Sequence, residues 1–580
     1  DQCLRDLRVT DPREDKTRIK KEKDRLLVQC YGWILEDSSF QRWRAKGDTR
    51  LLWIKGDPGK GKTMLTMGLI DELASKHRSS TAMLKRLIKF KRPSQSCLLA
   101  YFFCQSTRPE LNNAASVLRG LIYLLVVQKE SLIQHIHKRY KVMGSKMFEG
   151  SNSIYTLREI LSDILSDSTL PTTYLLVDAL DECTFDLSEL LHIITDKSLM
   201  QRSRVKWMVT SRNLPHIEQF LQPSTISDKV SLELNASHIS KAVVAFVDFK
   251  MQHLAAVKRY NPNTENEVRQ TLRDKAEDTF LWVSLVCKEL ESVPLYRTKE
   301  VLRELPPGLD PLYDRMFNQI SAQDDSRTSK YCKDVLRSST LAYRPLRLEE
   351  IAITGGLPLD QFSTVDRVSD IISRCGSFLT VRQNIVSFIH LSAKDYFTLG
   401  NGKQIFDGAV EEKNEQMACR LIQAMDMTLC RDMCNLQKPG ARILEATGPI
   451  QGNILPQIAY ACEYWIEHLS ACLHDCHGIL SDDGKVYYFL QRHLLHWIEA
   501  MSLLNKISDA IAAMQKLQSV LAVSNSELLS RIVYDVLRFL MWSGAVVQEA
   551  PLQLYHSALL FAPEESFVPR NFKQEMPNWI

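Results

Sequence analysis

Five short apolar runs, Leu51–Lys55, Cys97–Cys104, Thr173–Val177, Val205–Thr210 and Val230–Leu234, punctuate the first 235 residues. Each is too short for a buried helix, and together they are rich in β-branched and aromatic residues, so each predicts a buried strand. The stretches between them follow a helical period. Such alternation predicts an α/β fold, a parallel sheet flanked by helices. After Asn235 the pattern turns helical: Ile239–Phe249 and Phe280–Leu290 are apolar on one face. Pro306-Pro307-Gly308 marks a break. Leu346–Ile353 predicts a short helix, and Asn384–Ile389 an alternating strand after a turn. From Gly402 onward apolar stripes at Cys462–Leu473, Tyr487–Leu504 and Leu528–Trp542 predict an α-helical region without a fixed-period repeat.

The 580 residues exceed one hydrophobic core, so several domains are expected. A net charge of +4 over that length gives no global field for nucleic acid, and no nucleic-acid partner is expected. Val117–Val127 is interrupted by Arg119 and falls short of the ~18–20 residues that cross a bilayer, so no transmembrane segment is expected. The chain opens at Asp1 in a polar segment without a signal-peptide pattern. It does not begin with Met, which leaves a preceding targeting segment open. The 14 cysteines form no framework. Buried free thiols in a reducing, cytoplasmic compartment explain them. Cys430 and Cys434, then Cys472 and Cys476, with His474 and His477, have a spacing that zinc could use. The same spacing is one helical turn, the reading preferred here. The basic run Lys85–Arg92 reads as a solvated helical face.

One motif carries chemistry. Gly56-Asp57-Pro58-Gly59-Lys60-Gly61-Lys62-Thr63 is a full G-x-x-x-x-G-K-[ST] match, preceded by a predicted strand and followed by a helical pattern. Its glycines let backbone N–H groups curl toward phosphate oxygens, and the helix N-terminus adds partial positive charge. Lys62 is expected on the β- and γ-phosphates and the Thr63 hydroxyl on Mg2+.

Such a loop needs a carboxylate partner. The Thr173–Val177 run ends in Asp178, the Walker B position that holds magnesium through water. Asp181 and Glu182 follow one short turn later, where either carboxylate could activate the attacking water. Spacing does not separate the two. A third run ends in Ser211-Arg212, which places an arginine where it can sense a γ-phosphate.

These segments resemble the fungal NACHT-domain STAND NTPases of the vegetative-incompatibility, HET-E-like and nephrocystin-like type. The matching pieces are Leu52–Thr63, Tyr101–Gln105, Leu118–Leu125, Asp178–Cys183, Thr210–Asn213 and Asp278–Val283. Further matches are Leu305–Tyr313, Cys375–Thr380 and His390–Phe397. The resemblance implies that Ala179 is the small residue after the metal carboxylate, that Asp181-Glu182 is the acidic pair, and that Arg212 is the sensor arginine. It also implies a winged helix after the NTPase, in which His390 contacts the β-phosphate of a closed, diphosphate-bound state. Many STAND proteins carry Gly-x-Pro against the base; Asp278-Thr279-Phe280-Leu281-Trp282 has no such proline, and ATP against GTP stays open.

The domains expected on this basis are a helical lead-in (1–48), a P-loop NACHT NTPase (49–234), a helical domain (235–308), a winged helix (309–400), a helical domain (401–549) and a C-terminal segment (550–580) preceding missing or absent repeats. The implied function is a signalling switch in non-self recognition or cell death, with ADP or GDP in the closed state and slow hydrolysis of ATP or GTP. Implied partners are further copies of the chain on activation, an upstream effector domain, and ligand-sensing repeats. The rivals are a housekeeping P-loop ATPase and a scaffold that nucleotide merely stabilises.

Overall fold

The fold is that of a computed structural model, which describes residues 2–22, 27–45, 49–82, 97–148, 150, 153–196, 204–222, 227–322, 325–442, 455–472, 478–522 and 526–576. Lys85–Arg92, His474, Cys476 and His477 lie outside the described residues. The chain divides into two compact units, Asp1–Arg315 and Met316–Ile580.

The first unit opens with helices α1 (Gln2–Leu7), α2 (Pro12–Glu22), α3 (Val28–Tyr31) and α4 (Ser38–Arg44). Asp37 starts α4 by accepting the N–H groups of Ser39 and Phe40, as an N-cap acid does. Then come β1 (Leu51–Lys55), α5 (Lys62–Ala82), β2 (Leu98–Phe103), α6 (Ala114–Gln128), α7 (Gln134–Met143), α8 (Ser153–Leu165), β3 (Thr173–Asp178), α9 (Leu187–Ile194), β4 (Val205–Ser211), α10 (Pro215–Glu218) and β5 (Ser227–Ser231). Helices α11 (Ala236–Lys258), α12 (Pro262–Lys275), α13 (Phe280–Ser292) and α14 (Thr298–Glu304) follow.

The five strands form one parallel sheet in the order β2-β3-β4-β1-β5. Both faces are covered, which is why the inner strands are apolar at successive positions rather than alternating. Trp53 and Trp207 are fully buried on neighbouring strands, and each indole-bearing strand is tied by a polar contact. Trp53 Nε1 donates to Ser211 Oγ at 2.9 Å, and Trp43 Nε1 donates to the Trp207 carbonyl at 2.8 Å. The strand order brings β1, β3 and β4 side by side with their carboxyl ends together. In open α/β sheets that edge is where ligands bind.

Strand ends differ from the sequence expectation by one residue at β2, β3 and β4, and by more at β5. β5 is Ser227–Ser231 rather than Val230–Leu234, and Leu234 is exposed. Among the described residues β5 pairs only with β1, so as an edge strand it tolerates Asp228 and Lys229. The chain turns at Leu232, with Asn235 N–H donating to its carbonyl.

The second unit contains α15 (Ser326–Leu341), β6 (Leu346–Arg347), α16 (Leu348–Gly355), α17 (Val365–Ser373), β7 (Leu379–Arg382), β8 (Ile385–Phe388) and α18 (Leu391–Thr398). The strands make an antiparallel sheet, β6-β8-β7. Leu346–Ile353, read as one helix, is instead two residues of strand and then α16. Leu346 and Arg347 pair with Val386 and Ile385, and that pairing overrides helix propensity. β7 and β8 join through Gln383-Asn384, both in the left-handed region with φ of 50° and 63°, as a two-residue hairpin turn requires.

Helices α19 (Val410–Thr428), α20 (Leu455–Ser470), α21 (Lys485–Leu503), α22 (Ile507–Leu521) and α23 (Glu527–Glu549) follow. The Cys430–Cys434 segment is a turn, not a helix. The Asp432 carboxylate accepts the N–H groups of Leu436 and Gln437, a local bond that competes with helix formation. Cys430 is exposed, while Cys434 and Cys472 are buried. Among the described residues no three His, Cys, Asp or Glu side chains gather to hold a metal, and no helix is long and apolar enough to cross a membrane.

Candidate nucleotide-binding site

The loop between β1 and α5 is built around two glycines. Gly59 and Gly61 have φ of 77° and 84°, a conformation that a Cβ would strain. Gly56 N–H donates to the Ser211 carbonyl at 3.2 Å, which roots the loop beside β4. Lys62 opens α5, and Thr63 is its second residue. The Lys62 ammonium reaches back across the loop to the carbonyls of Gly56 and, at 3.0 Å, Asp57. Burial lowers its pKa; Asp181, Asp178 and Glu233 counter that and favour the cation, whereas Arg212 opposes it. A half-buried ammonium amid acids is ready to exchange carbonyl contacts for phosphate oxygens.

Asp178, the last residue of β3, is 2% exposed. Its Oδ1 accepts the hydroxyls of Thr66 at 2.8 Å and Thr210 at 2.7 Å. Thr66 lies on α5 one turn beyond Thr63, so the carboxylate is bonded to the very helix that the loop opens. Thr210 also accepts the Ala179 N–H at 2.9 Å, which pins the start of the next turn.

Ala179 sits in the left-handed region, with φ 56° and ψ 54°. For a residue with a Cβ this is strained, and such strain gathers at functional turns. The turn sends the two following acids to different partners. Asp181 accepts the Arg212 main-chain N–H at 3.0 Å through Oδ1 and pairs with Arg212 Nε at 2.8 Å through Oδ2. Glu182 Oε2 instead accepts the Ser106 N–H at 3.0 Å. Geometry thus separates two carboxylates that spacing alone does not. Asp181 is tied to the arginine, and Glu182 is held by the loop after β2.

Several neighbours were given no site role by the sequence. Thr66 and Thr210 orient Asp178. Glu233 accepts the Asp57 N–H at 2.7 Å. The segment leading into α13 lies against the phosphate loop: Phe280 N–H donates to the Gly59 carbonyl at 3.1 Å, and Lys60 Nζ donates to the Glu277 carbonyl at 3.1 Å. A Cβ built on Gly59 would lie 2.8 Å from the Thr279 methyl, and one on Gly61 would lie 3.0 Å from the Phe280 ring. Residues 277–281 are over 200 positions from the loop; the resemblance points to 278–282 as the region facing the base and leaves that contact open. Pro58 lies within the loop's turn.

His390 belongs to the second unit. It is the N-cap of α18, its Nδ1 accepting the Ser392 N–H at 3.2 Å.

The profile of the family described as "Nephrocystin 3, N-terminal" matches residues 29–212, the span holding the phosphate loop, Asp178 and Arg212. Over the whole chain the sequence is 40% identical, across 600 aligned positions, to the vegetative incompatibility protein HET-E-1 of Podospora anserina. The chain is thus a relative of that HET-E protein along its whole length, and its residues 29–212 carry the nephrocystin-3-type N-terminal family. It spans 42% of the length of that HET-E relative. Among solved structures, the HET-E-like chain is similar to a STAND protein with a tetratricopeptide repeat sensor from Pyrococcus horikoshii, at 12% identity and a TM-score of 0.32, covering 89% of this chain and 68% of that one. It is also similar to a Walker-type ATPase of Pyrococcus abyssi, at 14% identity and a TM-score of 0.29, covering 64% of this chain and 96% of that one.

The residues of this HET-E-like site fit a polyphosphate with magnesium. Left-handed glycines ahead of a long helix, a half-buried ammonium and a buried acid at the end of β3, one strand removed from β1, form the donor and acceptor set such a group needs. Magnesium usually takes one or two protein oxygens and completes its shell with phosphate and water, so a dense carboxylate cage is not required.

Proposed function

We propose that the chain is a nucleotide-controlled conformational switch that binds ATP or GTP with Mg2+ at Gly56–Thr63. The observation that carries this reading is the convergence of Lys62, Asp178, Asp181 and Arg212 at the adjoining ends of β1, β3 and β4. In it the loop amides and Lys62 hold the phosphates, and Thr63 and Asp178 hold the metal. Arg212, kept in place by Asp181, is set to sense the γ-phosphate. Glu182 is the base that takes a proton from the attacking water. The magnesium supplies charge neutralisation at the phosphates.

The second part of the proposal is the switch itself. The NTPase spans 49–234, with the lead-in 1–48 before it and the helical domain 235–308 after it. The β6-β8-β7 sheet and its helices, within 309–400, are a winged helix whose His390 contacts the β-phosphate when diphosphate is bound. The helical domain 401–549 and the segment 550–580 follow. Triphosphate then favours an opened form that self-associates and engages effector and ligand-sensing domains, in fungal non-self recognition. A full population shift needs on the order of 5 kcal/mol of differential affinity between the two states. Identifying the nucleotide that co-purifies with the chain tests the reading. Retained ADP or GDP with slow turnover supports the switch; a chain that neither retains nor takes up nucleotide overturns it.

A further inference from the structure

The Glu182 carboxylate is held from outside the phosphate loop. Its Oε2 accepts the Ser106 N–H at 3.0 Å and the Ser106 hydroxyl at 3.4 Å. Ser106 lies in a tightly closed loop after β2. Gln105 N–H donates to the Leu111 carbonyl at 3.0 Å, Arg108 N–H to the Gln105 carbonyl at 3.0 Å, and Leu111 N–H to the Arg108 carbonyl at 2.9 Å. Both ends of that loop are stitched to the chain around Glu182. Cys104 N–H donates to the Asp178 carbonyl at 3.0 Å, and Thr184 N–H donates to the Asn112 carbonyl at 2.7 Å.

A side chain of the lead-in grips the same loop. Arg18 Nη2, on α2, donates to Gln105 Oε1 at 2.8 Å. Arg18 is itself oriented by Asp15 at 3.0 Å and Glu22 at 3.3 Å. Lys16, two residues earlier, pairs with Asp71 on α5. Helix α2 therefore spans from the helix that follows the phosphate loop to the loop that holds Glu182. None of Arg18, Gln105 or Ser106 belongs to a nucleotide-binding motif.

We propose that Arg18 and Ser106 are positioning residues for triphosphate hydrolysis, and that α2 sets its rate by fixing the Glu182 carboxylate through the Gln105–Ser106 loop. This rests on the hydrolytic reading above. In that step the water oxygen bonds to the γ-phosphorus and the bond to the bridging oxygen breaks, its electron pair leaving with the diphosphate. The water proton passes to Glu182. A carboxylate on a side chain with several rotatable bonds is a good base only when held in one place, because misplacement by about 1 Å costs on the order of a hundredfold in rate. Movement of α2 away from Gln105 slackens the loop and with it the base. The nucleotide contacts at Lys62 do not pass through this path, so affinity stays as it is.

The test is steady-state hydrolysis of ATP and of GTP by the full chain, with diphosphate affinity measured alongside. Arg18→Ala and Gln105→Ala are expected to lower kcat by about tenfold with KM and diphosphate affinity unchanged, as loss of positioning alone predicts. Gln105→Glu keeps an oxygen for Arg18 and is expected to hold the parental rate. Ser106→Ala keeps the amide donor and should lose less than either alanine variant. An Arg18→Ala chain that binds diphosphate and turns over at the parental kcat overturns the inference and leaves the binding site standing. So does a Glu182→Gln chain as fast as the parent, or a parent that binds both nucleotides and cleaves neither. Should Arg18→Ala fail to fold, the contrast between Gln105→Ala and Gln105→Glu decides the matter. Unaltered nucleotide affinity in Lys62→Ala sinks the site reading instead.

Discussion

Asp181 holds Arg212 twice, by the main-chain N–H at 3.0 Å and by Nε at 2.8 Å, in a pair whose acid side chain is 4% exposed. An arginine fixed at both its backbone and its guanidinium is a rigid probe rather than a surface charge. Removing one partner strands the other in a poorly solvated site. Arg212→Ala is therefore expected to destabilise the chain by about 3 kcal/mol, measured by urea unfolding. Asp181→Asn combined with Arg212→Ala should recover part of that loss. The single variant is also expected to bind tri- and diphosphate with more nearly equal affinity, measured by titration calorimetry.

Lys62 makes its hydrogen bonds to loop carbonyls and buries no core side chain of its own. Lys62→Ala should abolish nucleotide binding while the far-ultraviolet circular dichroism spectrum stays parental. Melting with and without added diphosphate gives a second reading. The parent should gain stability with ligand concentration as binding to the folded state requires, and the variant should gain none.

Gly61 couples the phosphate loop to the helical segment at Phe280. An alanine there meets both a left-handed backbone and the ring at 3.0 Å. Gly61→Ala is expected to weaken nucleotide binding at least tenfold. Adding Phe280→Ala removes the steric part but not the backbone strain, so affinity should recover only in part. Full recovery would show that the left-handed conformation is not needed.

Glu499 in α21 is buried, and burial raises its pKa from 4.5 to about 7. Its carboxyl receives the Tyr555 hydroxyl at 2.5 Å and the N–H groups of Asp432 and Met433 at 3.1 Å and 3.2 Å. Because the folded state keeps the proton that the unfolded chain releases near pH 4.5, this group destabilises the fold as pH rises from about 4.5 to about 7, and the effect then levels off. The loss is on the order of a few kcal/mol when complete. Thermal melts of the parent and of Glu499→Gln, compared across that window, should show the parent losing stability relative to the variant. Parallel pH profiles would remove Glu499 as the cause.

The glycine loop, the acid that ends β3 and the parallel sheet that carries them were legible in the sequence by itself. Their chemistry depends on contiguous residues and on apolar runs whose length marks buried strands. Leu51–Lys55 was read with its observed ends, and the Thr173 and Val205 runs each continue one residue further as strands. Kinship with the HET-E protein was legible for the same reason, since motif strings are local.

What only the tertiary structure decided is which distant groups meet those motifs. Asp181 and Glu182 are adjacent in sequence and alike in chemistry, yet one faces Arg212 and the other Ser106, because Ala179 turns the chain through a left-handed residue. Thr66 and Thr210 on Asp178, Phe280 on Gly59 and Arg18 on Gln105 all join segments far apart along the chain. The Leu346 pair became strand for the same reason, as hydrogen bonds to β8 outweighed a local helical pattern. Periodicity reports how a segment meets solvent and core; it carries no information about which partner closes a hydrogen bond hundreds of residues away.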